Sequence, residues 1–282
     1  MLSSYVRLHQ GDYRFVVEGP ALRIFQSKLG ILESDPLHEA VERCDSVLCG
    51  SSATASLELD AIAHARALGK HAVVYLDHWI NYRKRFRRGA SEILPDAIWV
   101  GDIYAEREAK TQFPGLPVVL KGNSYLDEMT REIRALPARA GAGQRMSVLF
   151  VSQPIREHAR NALYEDLDRK YFEDEALRYL MDNMECVGGL VERLAIRLHP
   201  AEPADKYDWL LRESAFPVEV DRKSSLSASI AAADVVVGMD SMAMVVALYA
   251  GKRVICCIPP GGKPCRLPHS DIDLLQDLVA RS

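Results

Sequence analysis

The segment DVVVGMDS at 234–241 passes from an apolar run through Gly238 to a polar pair, Asp240 and Ser241, and then into an apolar helical run from Met242. Either Asp240 or Ser241 would cap that helix and leave several amide N–H groups pointing outward. Such an end attracts phosphate through free donors and the helix dipole. Gly238 would let a ligand approach the backbone. Gly251 and Lys252 close the helix, with a cation near its negative end. Without a ligand, the same residues make an ordinary capped helix after a strand.

Other segments place polar groups just after apolar runs. In RLHP at 197–200, Pro200 ends the run and projects His199, whose imidazole can donate to a phosphate or act as a general acid. In VSQP at 151–154, Ser152 and Gln153 can donate to phosphate or base, or simply make a polar turn. In CGSSAT at 49–54, Gly50, Ser51 and Ser52 resemble an anion nest at a helix start. No Gly-Lys-Ser/Thr follows, so this is not a Walker loop. In LDHW at 76–79, Asp77 and His78 are candidates for a base and its orienting carboxylate, although adjacent side chains usually point apart. Asp77 alone could activate an acceptor hydroxyl, or cap a helix.

Residues 82–88, YRKRFRR, carry five cations in seven positions, Arg83 and Arg85 among them. They could hold an anionic acceptor or an acidic membrane surface, or form a solvated basic loop. A nucleic-acid partner is disfavoured: the patch is single, and 35 Lys and Arg against 39 Asp and Glu leave a formal charge of −4. The eight His show no HxxxH spacing and the six Cys no CxxC, so no metal site is expected and no cofactor is implied. GxSxG and GxGxxG fingerprints are absent.

These residues need rigid elements to position them. The 282 residues are 48% apolar and 26% charged, ordinary globular values that exclude a disordered chain. The length fits one large domain or two of about 130 residues. No apolar stretch reaches the ~18 residues of a membrane span, no signal peptide is visible, and scattered thiols point to a reduced, cytoplasmic protein. Strands are expected at 13–17, 46–49, 72–76, 97–100, 117–120, 147–151, 194–198, 216–220, 234–237 and 253–258. Helices are expected at 21–29, 54–68, 103–111, 126–136, through most of 156–183, and at 204–213, 225–232 and 242–249. This alternation implies βαβ units, and uninterrupted Val/Ile/Leu runs imply parallel sheets covered on both faces. The small-residue stretch 137–145 looks like a linker between domains at 1–136 and 146–282. Residues 259–264 read as a loop mobile enough to fold over a ligand. In open parallel sheets ligands bind beyond the carboxyl ends of the strands, where the candidates above fall.

The second half resembles the nucleotide-binding domain of GT-B type glycosyltransferases and their relatives, the sugar-nucleotide 2-epimerases, bacterial sialyltransferases and glycerophosphotransferases. The matching residues are RLHP at 197–200, SLSASIAAAD at 225–234, VVVGMDS at 235–241 and ALYAGKRVI at 247–255. The resemblance implies an α/β fold of two Rossmann-like, doubly wound parallel-sheet domains facing a cleft. It implies donor phosphates held by His199 and Ser241; Ser152, Gln153, Gly238 and Asp240 are the further phosphate candidates by their positions after strands. An acceptor, carbohydrate or lipid-linked, is then expected on the first domain near Gly50, Ser51, Ser52, Arg83 and Arg85, with Asp77, His78 and His199 as catalytic candidates. The expected activity is transfer from a nucleotide-activated sugar in cell-envelope or capsule polysaccharide synthesis, at the inner membrane face if residues 83–88 touch lipid. Epimerisation, hydrolysis, or binding without catalysis are the alternatives. The sequence departs from the family in having Asp240-Ser241-Met242 where some relatives carry paired serines. It also opens without the family's first strand and Gly-rich loop, so the first domain is expected to lack its first βα unit.

Overall fold

A computed structural model describes residues 1–30, 33–52, 56–137, 145–159, 170–214 and 216–282. The chain forms two compact units, Met1–Glu128 and Met129–Ser282. The division falls within one helix; the expected linker at 137–145 lies largely outside the described residues.

The first unit carries, in chain order, α1 (Leu2–Leu8), α2 (Gly19–Leu29), α3 (Leu37–Arg43), β1 (Ser46–Cys49), α4 (Leu57–Ala67), β2 (His71–Leu76), β3 (Arg87–Arg88), β4 (Ser91–Glu92), β5 (Ala97–Val100), α5 (Ile103–Gln112), β6 (Val118–Leu120) and the start of α6 (Ser124–Ala135). Its main sheet runs β1-β2-β5-β6, every pair parallel. Strand order therefore follows chain order and never reverses. β2 is buried along nearly its whole length, as an uninterrupted HAVVYL run demands when both sheet faces are covered. Asp102 caps α5, accepting from the Ala105 N–H at 2.8 Å, and also accepts from the Trp79 indole at 2.9 Å.

The second unit carries β7 (Met146–Val151), α7 (Ile155–Ala159), α8 (Glu173–Asp182), β8 (Val191–Arg197), α9 (Asp208–Glu213), β9 (Val218–Asp221), α10 (Leu226–Ala231), β10 (Val235–Gly238), α11 (Met242–Tyr249), β11 (Arg253–Cys256), β12 (Asp273–Leu274) and α12 (Leu275–Arg281). Its sheet runs β12-β11-β10-β7-β8-β9, all parallel. Counted along the chain from β7, that order reads 6-5-4-1-2-3, the arrangement of a doubly wound Rossmann sheet. It reverses between β7 and β10, which pair with Val235 opposite Val148 and Val237 opposite Phe150. β7 and β10 are buried almost throughout and form the centre of the core.

One device recurs in both units. Gly69, after α4, and Gly251, after α11, are each followed by a lysine whose ammonium caps the helix before that one. Lys70 donates to the carbonyls of Val41, Glu42 and Cys44 at 2.6–2.8 Å, closing α3. Lys252 donates to Ala231 and Ala233 at 3.0 and 2.7 Å, closing α10 rather than the α11 it follows. Each orphan carbonyl end thus meets a cation, which also suits the helix dipole.

Several expected elements are corrected. Residues 13–17 form no strand. The Asp35 N–H donates to the Phe15 carbonyl at 2.8 Å and Val17 N–H to Ser34 Oγ at 3.0 Å, while Phe15 packs edge-on against Phe25 of α2, 5.9 Å between ring centres. The segment spends its hydrogen bonds on a local pairing and its aromatic surface on a helix. The expected helix at 204–213 begins only at Asp208, because Lys206 and Tyr207 turn inward, as described below. The short β12 and α12 were not expected: a two-residue strand carries no periodic signal. In the loop at 259–264, Gly262 packs closely, a Cβ there falling 2.6 Å from Ile258 and 2.8 Å from Tyr171, while Pro260, Gly261, Lys263 and Pro264 are exposed. No helix among the described residues is long and apolar enough to cross a membrane.

Candidate functional site

In the second unit the strand order reverses at the carboxyl ends of β7 and β10, the place where Rossmann sheets bind ligands. Gln153, two residues past β7, and Asp240, two past β10, meet there. Gln153 Nε2 donates to Asp240 Oδ1 at 2.9 Å, and the Asp240 N–H donates to Gln153 Oε1 at 3.0 Å. Arg266, on the loop after β11, donates through Nε to Asp240 Oδ2 at 2.6 Å. The Asp240 side chain is 2% exposed and that of Arg266 30%. The buried carboxylate thus accepts from Gln153 on one oxygen and from Arg266 on the other, and it holds the guanidinium in place. Arg266 was not among the sequence candidates; it lies 26 positions from Asp240, and no local pattern links them.

Ser241 is the N-cap residue of α11, with extended backbone, yet its side chain makes no capping bond. Its Oγ is covered and has no hydrogen-bond partner among the described residues. A serine at this position normally satisfies an amide one turn in. Gly238 has a packing role in place of the expected ligand-approach role: a Cβ there would fall 2.8 Å from Val151 Cγ2 and 3.0 Å from Met244 Sδ. The space beside its Cα is filled by protein.

Ser152 is also corrected. It is buried, its hydroxyl donates to Glu202 Oε1 at 2.7 Å, and it shares a 2.6 Å hydrogen bond with the Tyr207 hydroxyl. It belongs to an internal network rather than to the candidate phosphate site. Glu202 also accepts from the His199 N–H at 2.6 Å and from Lys206 Nζ at 2.8 Å. Lys206 further pairs with Glu157 at 2.8 Å and with the buried Glu173. The carboxylate oxygens of Glu157, Glu173 and Glu202 lie within 4.8 Å of one another. The Lys206 ammonium supplies the positive charge such a group needs. Burial pulls its pKa down, but hydrogen bonds to the three glutamates outweigh that and leave it raised.

His199 follows β8 at the same carboxyl edge of the sheet, and the residue is exposed. Its Nδ1 accepts from the Ala201 N–H at 3.1 Å, which assigns the ring proton of the neutral form to Nε2. Partial burial of the ring lowers its pKa, against the opposing pull of Glu202. The imidazole is therefore a neutral N–H donor near pH 7.

In the first unit, the turn after β1 and the turn after β2 converge. Arg85 donates to Asp77 Oδ1 at 3.0 Å, to Ser51 Oγ at 2.8 Å and to the Ser51 carbonyl at 3.1 Å. His78 Nδ1 accepts from the Trp79 N–H at 2.9 Å, so the ring folds onto its own backbone. Gly50 and Ser52 flank Ser51, but residues 53–55 lie outside the described residues, and the expected nest is described only in part. The basic run 83–88 is substantially neutralised. Arg83 pairs with Glu92 at 2.9 Å, Arg85 with Asp77, and Arg88 with Asp60 at 2.7 Å. Arg83 also stacks over Phe113, 5.4 Å from the ring centre.

No protein-family model matches this chain, and no curated protein matches it in sequence. Among solved structures it is similar to a Listeria monocytogenes protein assigned as a UDP-N-acetylglucosamine 2-epimerase, with 17% identity and a TM-score of 0.49 over 83% of this chain and 67% of that one. It is similar to S. aureus MnaA, solved with UDP, at 14% identity and a TM-score of 0.49, over 78% of this chain and 59% of that one. Acinetobacter baumannii MurG aligns over 99% of this chain and 76% of its own, with 12% identity and a TM-score of 0.47. The fold assignment itself rests on the strand orders given above: two α/β units with parallel sheets, the second in Rossmann order.

Proposed function

We propose that the second unit binds a nucleotide-activated sugar, with its phosphate groups at the α11 tip beside Ser241, and that the protein is a glycosyltransferase-type enzyme acting on a carbohydrate or lipid-linked acceptor. The observation that carries this reading is the Ser241 hydroxyl. A buried hydroxyl without a partner costs about 1–3 kcal/mol. One that sits on a helix N-cap without capping an amide is set where an anion would satisfy it. The Oγ is covered, so engagement entails rotation of the side chain. His199 Nε2–H is a second neutral donor at that sheet edge. Fixed donors at that edge would stabilise charge developing on the leaving phosphate.

A second reading is binding, epimerisation or hydrolysis without transfer. The pairing of Asp77 with Arg85 favours it, because the carboxylate placed to activate an acceptor hydroxyl is already engaged.

Thermal-shift titration with UDP, CDP, CMP, GDP and their sugars tests the first step. One nucleotide is expected to raise the melting temperature of the wild type and to lose most of that effect with Ser241→Ala. If none shifts it, the reading fails. Product analysis with a labelled donor then separates transfer from epimerisation and hydrolysis.

A further inference from the structure

We propose that Cys256 and Cys265 form a dithiol modification site, oxidised reversibly to an internal disulfide by a low-molecular-weight disulfide such as oxidised glutathione. All six cysteines are free thiols, but only these two share a partner. Cys256 ends β11 and donates to the Met239 carbonyl at 3.0 Å; Cys265, in the following loop, donates to the same oxygen at 3.5 Å. Both side chains line a cavity of about 660 Å³ between that loop and α12, roomy enough to admit a small disulfide. The remaining thiols have other surroundings. Cys44 donates to Val41 and Cys49 to Glu58, Cys186 meets Ser282, and Cys257 is fully buried.

The pair is also chemically asymmetric. Contact with Cys256 holds the Cys265 thiol below its ordinary pKa despite burial, while the same contact and burial push Cys256 up. The more acidic thiol supplies the thiolate that attacks. Cys265, half-buried, attacks one sulfur of the reagent, bonds to it and expels the other half as a thiolate that takes a proton from water. Cys256 then gives up its proton to solvent and attacks Cys265 Sγ. That breaks the mixed disulfide and releases the second thiol. Two protein thiols are oxidised and one reagent disulfide is reduced to two thiols. Oxidation removes both donors from the Met239 carbonyl, next to Asp240, and ties down the residue next to Arg266. The site therefore borders the strand-order reversal without depending on what binds there.

The test is intact-mass measurement of the full chain incubated with oxidised glutathione, followed by non-reducing digestion. The expected result is a loss of two hydrogen atoms with no glutathione retained, reversed by dithiothreitol. Fragment ions should join Cys265 to Cys256 and not to Cys257. Cys256→Ser should trap a glutathione adduct on Cys265, whereas Cys44→Ser and Cys186→Ser should still lose two hydrogens. No mass change in the wild type, a bridge to any other cysteine, or a persistent wild-type adduct on Cys265 would overturn the proposal. The decisive readings come from the wild-type chain and do not require any variant to fold.

Discussion

Gln153 and Asp240 exchange two hydrogen bonds, at 2.9 and 3.0 Å, across the point where the second sheet reverses its strand order. They lie 87 positions apart in the chain. Each is two residues past its strand, and the parallel pairing of β7 with β10 brings the two turns together. The Asp240 carboxylate ties both to Arg266 at 2.6 Å.

Asp240→Ala strands the Gln153 amide and the Arg266 guanidinium together. The loss should be about 2–3 kcal/mol, below the ~3–5 of a fully buried pair because Arg266 keeps some contact with water. Gln153→Ala should cost less, about 1–2 kcal/mol, since no charge is stranded. Urea unfolding of both variants gives the comparison. A smaller loss for Asp240→Ala than for Gln153→Ala would show that the carboxylate does not anchor the network.

Gly238→Ala should destabilise the protein with no ligand present. The new methyl meets Val151 Cγ2 at 2.8 Å and the Val151 carbonyl at 3.2 Å, and backbone yields less readily than a side-chain tip. Overpacking of this kind costs about 1–3 kcal/mol. Thermal melting checks it; an unchanged midpoint would return Gly238 to a role in ligand approach.

His199 predicts a direction with pH. Its pKa in the folded protein lies below the ordinary 6.5, chiefly through burial. Between the folded and unfolded values the unfolded chain binds more protons, so stability rises with pH in that window. The contribution is complete above about pH 6.5 and is lost as pH falls through the folded value. His199→Gln should therefore show a shallower fall in stability than the wild type between roughly pH 7 and pH 5 in urea titrations. Parallel curves would mean that the imidazole sits in a water-like environment.

The strands of both cores were readable because they are unbroken apolar runs. Residues 46–49 and 97–100 coincide with β1 and β5, and 242–249 with α11. An uninterrupted Val/Ile/Leu segment has little choice but a covered parallel strand. Residues 13–17, YRFVV, are also mostly apolar but are interrupted by Arg14, and they form no strand: a strand exists only where a neighbour offers its backbone, and Ser34 and Asp35 took that place. Ser241 was legible as an N-cap by position. That its hydroxyl leaves the cap unmade was not legible, because rotamer choice follows from packing.

By itself, then, the sequence determined which segments are apolar enough to be strands, where the Gly-Lys pairs end helices, and that His199, Gln153, Asp240 and Ser241 follow strands. These are local properties of composition and period. Only the tertiary structure decided the strand order, and with it which of those turns meet. It brought Arg266 to Asp240, drew Ser152 inward to Glu202 and Tyr207, and set Arg85 on Asp77 and Ser51. Each of these contacts joins residues 8 to 55 positions apart. The physical reason is that a buried charge or hydroxyl takes its partner from whatever the fold brings within 3 Å, and that neighbour need not be near in the chain.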